Sequence, residues 1–237
     1  MKETKKQPIY YILIGILLIL SYQLIFPAII YMIFPDLAKT DNPILINLFN
    51  IGYTLFTVLF FCILYRKSLK EEGKEFLKNK KAFAKKGIQA WLKGLGTMIL
   101  SNLIVISIAG SMAGNEIQNR DILAQYPYFA VISMCLFGPF IEEIVFRKSF
   151  RKAFQNKYVF AIVTSFIFAS LHVLNGFEEL TLTCILNNWT QLLFLFPYGS
   201  LAFFFALAYY DTDNIFTSTL AHCLHNTFTI LLVFLTR

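Results

Sequence analysis

The chain has 237 residues, 57% of them hydrophobic and only 15% charged, with 26 Phe. A water-soluble domain of this length cannot cover so much apolar surface, so the composition selects a polytopic membrane protein. The formal net charge of +7 does not point to nucleic acid, because the basic residues lie between hydrophobic runs and no soluble module exists to present them.

In chain order, apolar runs of spanning length lie near Ile9 to Phe34, Pro43 to Tyr65, Ile88 to Ser111, Tyr126 to Phe150 and Tyr158 to Leu174, followed by Gln191 to Tyr210 and Ile215 to Leu235. Each is close to or above the ~20 residues that a helix needs to cross the hydrocarbon core. The expected fold is therefore an all-α transmembrane bundle of about seven spans, or eight if Thr181 to Trp189 also crosses. Asn187, Asn188 and Gln191 crowd the end of that stretch and favour a re-entrant or surface helix. The first run is too long for a signal-peptide core and lacks a small-residue cleavage site, which reads as an uncleaved anchor. No repeat is visible. The simplest parse is one membrane domain, with N-terminal helices and a basic loop (about 66–87) in residues 1–125 and a second group of helices in 126–237.

Lys and Arg set the expected orientation. Lys2, Lys5 and Lys6 precede the first span, and Arg66, Lys67, Lys70, Lys74, Lys78, Lys80, Lys81, Lys85, Lys86 and Lys93 crowd the segment after the second. Arg147, Lys148, Arg151, Lys152 and Lys157 mark the same side, whereas Lys39 and Arg120 stand among acids on the other. The positive-inside rule puts the N-terminus in the cytoplasm, with a bacterial plasma membrane as the expected location. Asp211, Asp213 and Arg237 leave the side of the C-terminus open between seven and eight spans. Lys67 to Lys86 reads either as a polybasic surface helix attracted to anionic lipid or as a solvated linker. Cys62, Cys135, Cys184 and Cys223 show neither metal-ligand nor disulfide spacing.

Three polar clusters interrupt the apolar segments. An ionisable group at membrane depth costs roughly 2.5 to 3.5 kcal/mol on insertion scales, which makes each cluster a functional candidate. At Gly138-Pro139 the proline removes a backbone donor and either kinks the span or starts a new helical stretch. Glu142 and Glu143 follow, pointing roughly 100° apart around the helix. Glu143 and Arg147 have the i, i+4 spacing of an ion pair with the acid on the N-terminal side. Glu142, without a local cation, is the better general base. His172 shares a helical face with Phe168, one turn earlier. His222 and Asn226 present an imidazole and a carboxamide together, suited either to metal ligation or to hydrogen bonding with an oxyanion. His225 sits on another part of that helix and reads as a bystander. No HExxH, GxSxG or Walker loop is present.

The sequence Glu142-Glu143-Ile144-Val145-Phe146-Arg147, then Phe168 to His172, then His222 to Asn226, resembles the EExxxR, FxxxH and HxxxN motifs of the CPBP family. Those are the CAAX proteases and bacteriocin-processing enzymes, also called the Abi family of intramembrane metalloproteases. The resemblance covers roughly Met134 to Leu232, with Asn214 also fitting, and departs at Lys148. It implies a helical bundle whose motif helices enclose a hydrophilic cavity open toward the cytoplasm. It also implies an endopeptidase acting on a peptide or membrane-protein substrate within the lipid bilayer. Glu142, Glu143, His172, His222 and Asn226 would form the catalytic set, supported by Arg147 and Phe168. A Zn2+ ion held by Glu142, His172 and His222 is one version of the mechanism, and a metal-independent, glutamate-activated water is the other. Two further classes stand beside the protease: a nonproteolytic immunity or regulatory scaffold of the same family, and a secondary transporter using the intramembrane carboxylates as a proton relay.

Overall fold

A computed structural model describes residues 7–38, 40 and 42–236, with the backbone alone described at 37, 38 and 43. Lys2, Lys5, Lys6, Lys39, Asp41 and Arg237 lie outside the described residues and side chains. The helices in chain order are α1 (Pro8–Ile33), α2 (Ile44–Leu64), α3 (Arg66–Lys78), α4 (Lys80–Ala109) and α5 (Gly114–Gln125). They continue as α6 (Pro127–Ala153), α7 (Lys157–Leu174), α8 (Leu182–Asn187), α9 (Trp189–Thr212) and α10 (Ile215–Leu235). Seven of them, all but α3, α5 and α8, are long and apolar enough to cross a membrane, and no strand occurs among the described residues. The chain is an integral membrane protein. Short α8 lies where a re-entrant or surface helix was expected, between Thr181 and Trp189.

The third span differs from its sequence outline. It begins at Lys80 rather than near Ile88, because Lys residues continue a helix and carry their charged heads outward along the stem. Between helices in lipid, close packing replaces the hydrophobic effect as the main attraction. Gly87 shows this: a Cβ there would stand 2.8 Å from the carbonyl oxygen of Thr217, so α4 and α10 touch through backbone. α9 lies against both α7 and α4. Leu18, Phe61 and Leu69, from α1, α2 and α3, pack in one cluster with Ile141, Ile144, Phe146, Phe160, Ala202 and Ile215, so the N-terminal helices and the motif helices share a core.

Two spans contain a π turn just before a proline, Ser21–Ile25 before Pro27 and Ser133–Phe137 before Pro139. The cause is visible in the hydrogen bonds. Phe26 N donates to Ser21 O and Gly138 N to Ser133 O, which shifts the ladder by one residue. The next carbonyls, Tyr22 O and Met134 O, then face prolines that have no N–H. Side chains from other helices fill both gaps. Tyr53 Oη donates to Tyr22 O at 3.0 Å, and Asn226 Nδ2 donates to Met134 O at 2.8 Å. The expected kink at Pro139 is therefore a π turn that draws α10 onto α6.

The two ends of the bundle are closed differently. At the basic end, α3 caps the motif helices through Glu72. Its carboxylate pairs with Lys148 and accepts Ile215 N at 2.8 Å, while Asn214 Nδ2 donates to the Glu72 carbonyl at 2.7 Å. Asn214 in turn caps α10 by accepting Phe216 N at 3.2 Å. Asp213 and Asp211 also belong to this end, since they pair with Arg151 at 3.0 Å and Lys157 at 3.7 Å. Seven spans account for that placement. At the other end, a Cβ on Gly114 would overlap Gly176 O, so the start of α5 crosses directly over the turn after α7. Gln191 fixes the crossing by accepting Gly114 N at 3.0 Å and donating to Ser111 Oγ at 3.1 Å.

Candidate active site

The three motifs meet where α6, α7 and α10 converge. Glu142 Oε2 lies 3.6 Å from His222 Nε2 and 4.0 Å from His172 Nε2. The opposite nitrogen of each ring is held. His172 Nδ1 donates to Phe168 O at 2.9 Å, and His222 Nδ1 donates to Glu143 Oε1 at 3.0 Å. A carbonyl and an ionised carboxylate only accept, so each Nδ1 carries a proton and each ring turns its Nε2 toward Glu142. The FxxxH spacing thus has a local reason: the backbone oxygen one turn back sets the tautomer of His172.

Phe168 serves again through its ring. It stacks on His172 with centroids 4.0 Å apart, meets His222 edge-on at 5.8 Å, and lies 4.6 Å from the guanidinium carbon of Arg147. Arg147 and Glu143 are both 0% exposed. Their ion pair spans 3.5 Å, and Arg147 Nη2 also donates to Ala202 O at 3.4 Å. Glu143 therefore stands between a cation and an imidazole and orients His222. The i, i+4 pairing expected from the sequence is present.

A cavity of about 700 Å³ reaches the cluster. Glu142, His172, His222 and Asn226 line it, whereas Glu143 and Arg147 are not on its wall. Asn226 has a structural duty beyond its expected oxyanion role, because one of its N–H groups is committed to Met134 O. His225, expected to be a bystander, lines the same cavity at 8% exposure, and its Nδ1 has no hydrogen-bond partner. Its i+3 spacing from His222 was the available sequence signal, since residues three apart share a helical face. Glu72 and its link to Lys148 had no local signal.

The polar wall of the cavity runs to Asn115, Glu116, Asn119 and Arg120 on α5, at the end of the bundle opposite the basic segments. At the basic end α3 packs on α10. Phe216, which follows the Asn214 cap, contacts the rings of Phe76 and Phe140 at 6.1 and 6.4 Å.

The family resemblance implies a metal, and the donor types suit one. Two imidazole Nε2 atoms and a carboxylate face each other, and Glu143 and the Phe168 carbonyl orient the rings from behind, as the outer partners of metal-binding histidines do. The separations of 3.6 and 4.0 Å exceed the roughly 3.3 to 3.4 Å expected between ligand atoms about 2.0 to 2.1 Å from a tetrahedral ion. Among the described residues no three His, Cys, Asp or Glu side chains are gathered as a ready metal site.

Comparison with known proteins places this geometry. Residues 124–228 match the family model described as "Type II CAAX prenyl endopeptidase Rce1-like", a segment that contains all three motifs and begins ahead of the Met134 boundary read from the motifs. The chain is 29% identical over 138 residues to the Bacillus subtilis (strain 168) protein named "Putative membrane peptidase YdiL". That match covers 53% of this chain and 49% of the relative, so the chain spans about half the length of the curated relative it matches. No solved structure matches the chain. The family segment spans the motif residues gathered around one intramembrane carboxylate, which supports a place for the chain in the CPBP family of CAAX-type membrane proteases.

Proposed function

We propose that the chain is an intramembrane endopeptidase that hydrolyses a peptide bond of a membrane-associated peptide or protein with a water activated by Glu142. The observation that carries this reading is one cavity-lining carboxylate faced by two imidazoles of fixed tautomer. Glu142 takes a proton from the water as the hydroxide adds to the scissile carbonyl carbon. The oxyanion so formed is met by the N–H of Asn226 not used by Met134. The C–N bond then breaks as the proton passes from Glu142, directly or by way of a histidine Nε2, to the departing amine. Glu143 and Arg147 take no proton in this scheme; they hold His222 in register. The basic segments and the N-terminus lie on the cytoplasmic side of a bacterial plasma membrane.

A second reading is favoured by the two Nε2 atoms that face Glu142. Glu142, His172 and His222 would hold a zinc ion, which as a Lewis acid lowers the pKa of a bound water to ~7. Metal content of the purified wild type decides between the readings. Full activity without stoichiometric metal removes zinc, and joint loss of metal and activity on His172→Ala and His222→Ala removes the metal-free scheme. For the protease itself, membrane and secreted peptides are compared between cells with wild type and cells with Glu142→Gln. A peptide truncated only in the wild-type cells is expected, and identical peptide sets end the proposal.

A further inference from the structure

Helix α1 lies outside the residues that match the family model, yet it reaches the catalytic cavity. It does so through two neighbouring residues, Tyr22 and Gln23, and both belong to the π turn Ser21–Ile25. An extra residue in one turn re-aims the side chains within it, and single π turns occur frequently at functional sites. Here a bond from another helix holds the turn. Tyr53 Oη on α2 donates to Tyr22 O at 3.0 Å, filling the gap left by Pro27. The backbone of Tyr22 is thus anchored, while its partly exposed side chain lines the cavity. The second π turn, Ser133–Phe137, puts Ser133 and Met134 on the same wall, so both broken turns meet at one space.

Tyr22 stands against the centre of the site. It packs on the cluster that contains Ile141 and Ile144, the residues on either side of the glutamate pair, and its hydroxyl lies within electrostatic range of Glu142. Among the described residues Tyr22 bonds only through its carbonyl, which leaves the hydroxyl without a hydrogen-bond partner. A phenol withdrawn from bulk water normally finds a partner, so a free one beside a carboxylate is open to a water or a substrate. Tyr198, another phenol on the wall, differs: its hydroxyl accepts from Asn115 Nδ2 on α5 at 3.5 Å.

The reaction has a place for a further donor. When hydroxide adds to the scissile carbonyl, the carbonyl oxygen gains a negative charge that preorganised donors stabilise. Asn226 has one N–H to offer, its other being committed to Met134 O at 2.8 Å. The Nδ1 protons of His172 and His222 are committed to Phe168 O and Glu143.

We infer that Tyr22 is a further catalytic residue, whose phenolic O–H donates to the oxyanion alongside Asn226. This deepens the protease reading and rests on it. The phenol keeps its proton throughout; its hydrogen bond strengthens as the carbonyl oxygen gains charge and weakens again when the C–N bond breaks. Helix α1 then completes the site built by α6, α7 and α10.

Tyr22→Phe removes one oxygen atom and keeps the ring that packs on the cluster. Purified full-length wild type, Tyr22→Phe, Tyr198→Phe and Glu142→Gln are compared on a fluorogenic peptide copied from the one truncated only in wild-type cells. In Tyr22→Phe, kcat and kcat/KM should fall together by about 10²-fold, with KM and the melting temperature as in wild type. Tyr198→Phe should keep its kcat. Wild-type kcat in Tyr22→Phe overturns the inference, as does a change in KM alone or a loss matched by a lower melting temperature. An equal loss in Tyr198→Phe overturns it too, since the effect would then not depend on facing Glu142. A second measurement stands even if Tyr22→Phe fails to accumulate. Fluorotyrosine placed at Tyr22 by stop-codon suppression keeps the O–H, and its fluorine NMR resonance should move when Glu142→Gln is added. An unmoved resonance overturns the inference. That readout needs no proteolysis, so it fails separately from the protease reading, which falls if Glu142→Gln cleaves as wild type does.

Discussion

Glu142 and Glu143 are adjacent in sequence, yet they belong to two differently built halves of the molecule. Glu143 stands off the cavity wall, buried against Arg147 and His222, with the knot of Glu72, Lys148 and Ile215 at the basic end of the same helices. Glu142 faces the half toward α5, where carboxamides, His225 and the Nε2 atoms of His172 and His222 line a cavity. Charges paired in the packed interior hold helices in place, and groups open to a cavity are available for a water or a substrate. A helix that turns ~100° per residue suffices to place neighbouring side chains in opposite environments.

The largest expected effect breaks the comparison at its centre. Glu142→Ala should lower turnover by about 10² to 10⁴, the usual contribution of a positioned general base, with membrane abundance unchanged. Cleavage of the identified peptide, measured beside immunoblots of membranes, checks both. Wild-type turnover in this variant would return Glu142 to a structural role and end the distinction. Glu143→Ala or Arg147→Ala should instead lower abundance, since breaking a buried pair from one side costs about 3 to 5 kcal/mol. Replacing both with apolar residues, Glu143→Leu with Arg147→Met, should recover abundance but not activity, because His222 then lacks its orienting carboxylate. Single variants that accumulate normally would move Glu143 to the catalytic side.

Asn226 sharpens the comparison because it touches both halves. Loss of an oxyanion donor typically costs on the order of 10² to 10³ in turnover. Loss of the bond to Met134 leaves a buried carbonyl unpaired, at about 1 to 3 kcal/mol. Asn226→Ala should therefore show both deficits, whereas Pro139→Ala, which restores a backbone N–H near Met134, should relieve only the stability deficit when added to it. Thermal unfolding in detergent and turnover of the two variants and their combination separate the terms. A combined variant with restored turnover would show that Asn226 acts through helix geometry alone.

How far the sequence reaches follows the same division. Apolar run length, i, i+4 spacing and Pro139 are local, and they located the seven spans, the Glu143 pair and the break in α6. Contacts between residues far apart in the chain were not legible. Nothing local ties Asn226 to Met134 or Glu72 to Ile215, and the π turns appear only once a proline's missing donor is traced along the ladder. The place of α3 depends on such contacts too, because it reads equally well as a loose linker until Glu72 is seen to bind the start of α10. His225 was set aside because the cavity that it lines with His222 is built from several helices and has no local sign.

The smallest expected effect lies at that seal. Glu72 accepts the first free N–H of α10, a capping bond worth about 0.5 to 2 kcal/mol, and its pair with Lys148 is partly screened. Glu72→Ala should lower the melting temperature by a few degrees, at ~2 to 4 °C per kcal/mol for a chain of this length. Glu72→Gln keeps an acceptor for Ile215 and should lose less. Neither should raise turnover below the melting range, because Glu72 does not line the cavity that reaches Glu142. A gain of activity in Glu72→Ala would mean that α3 is a gate rather than a seal.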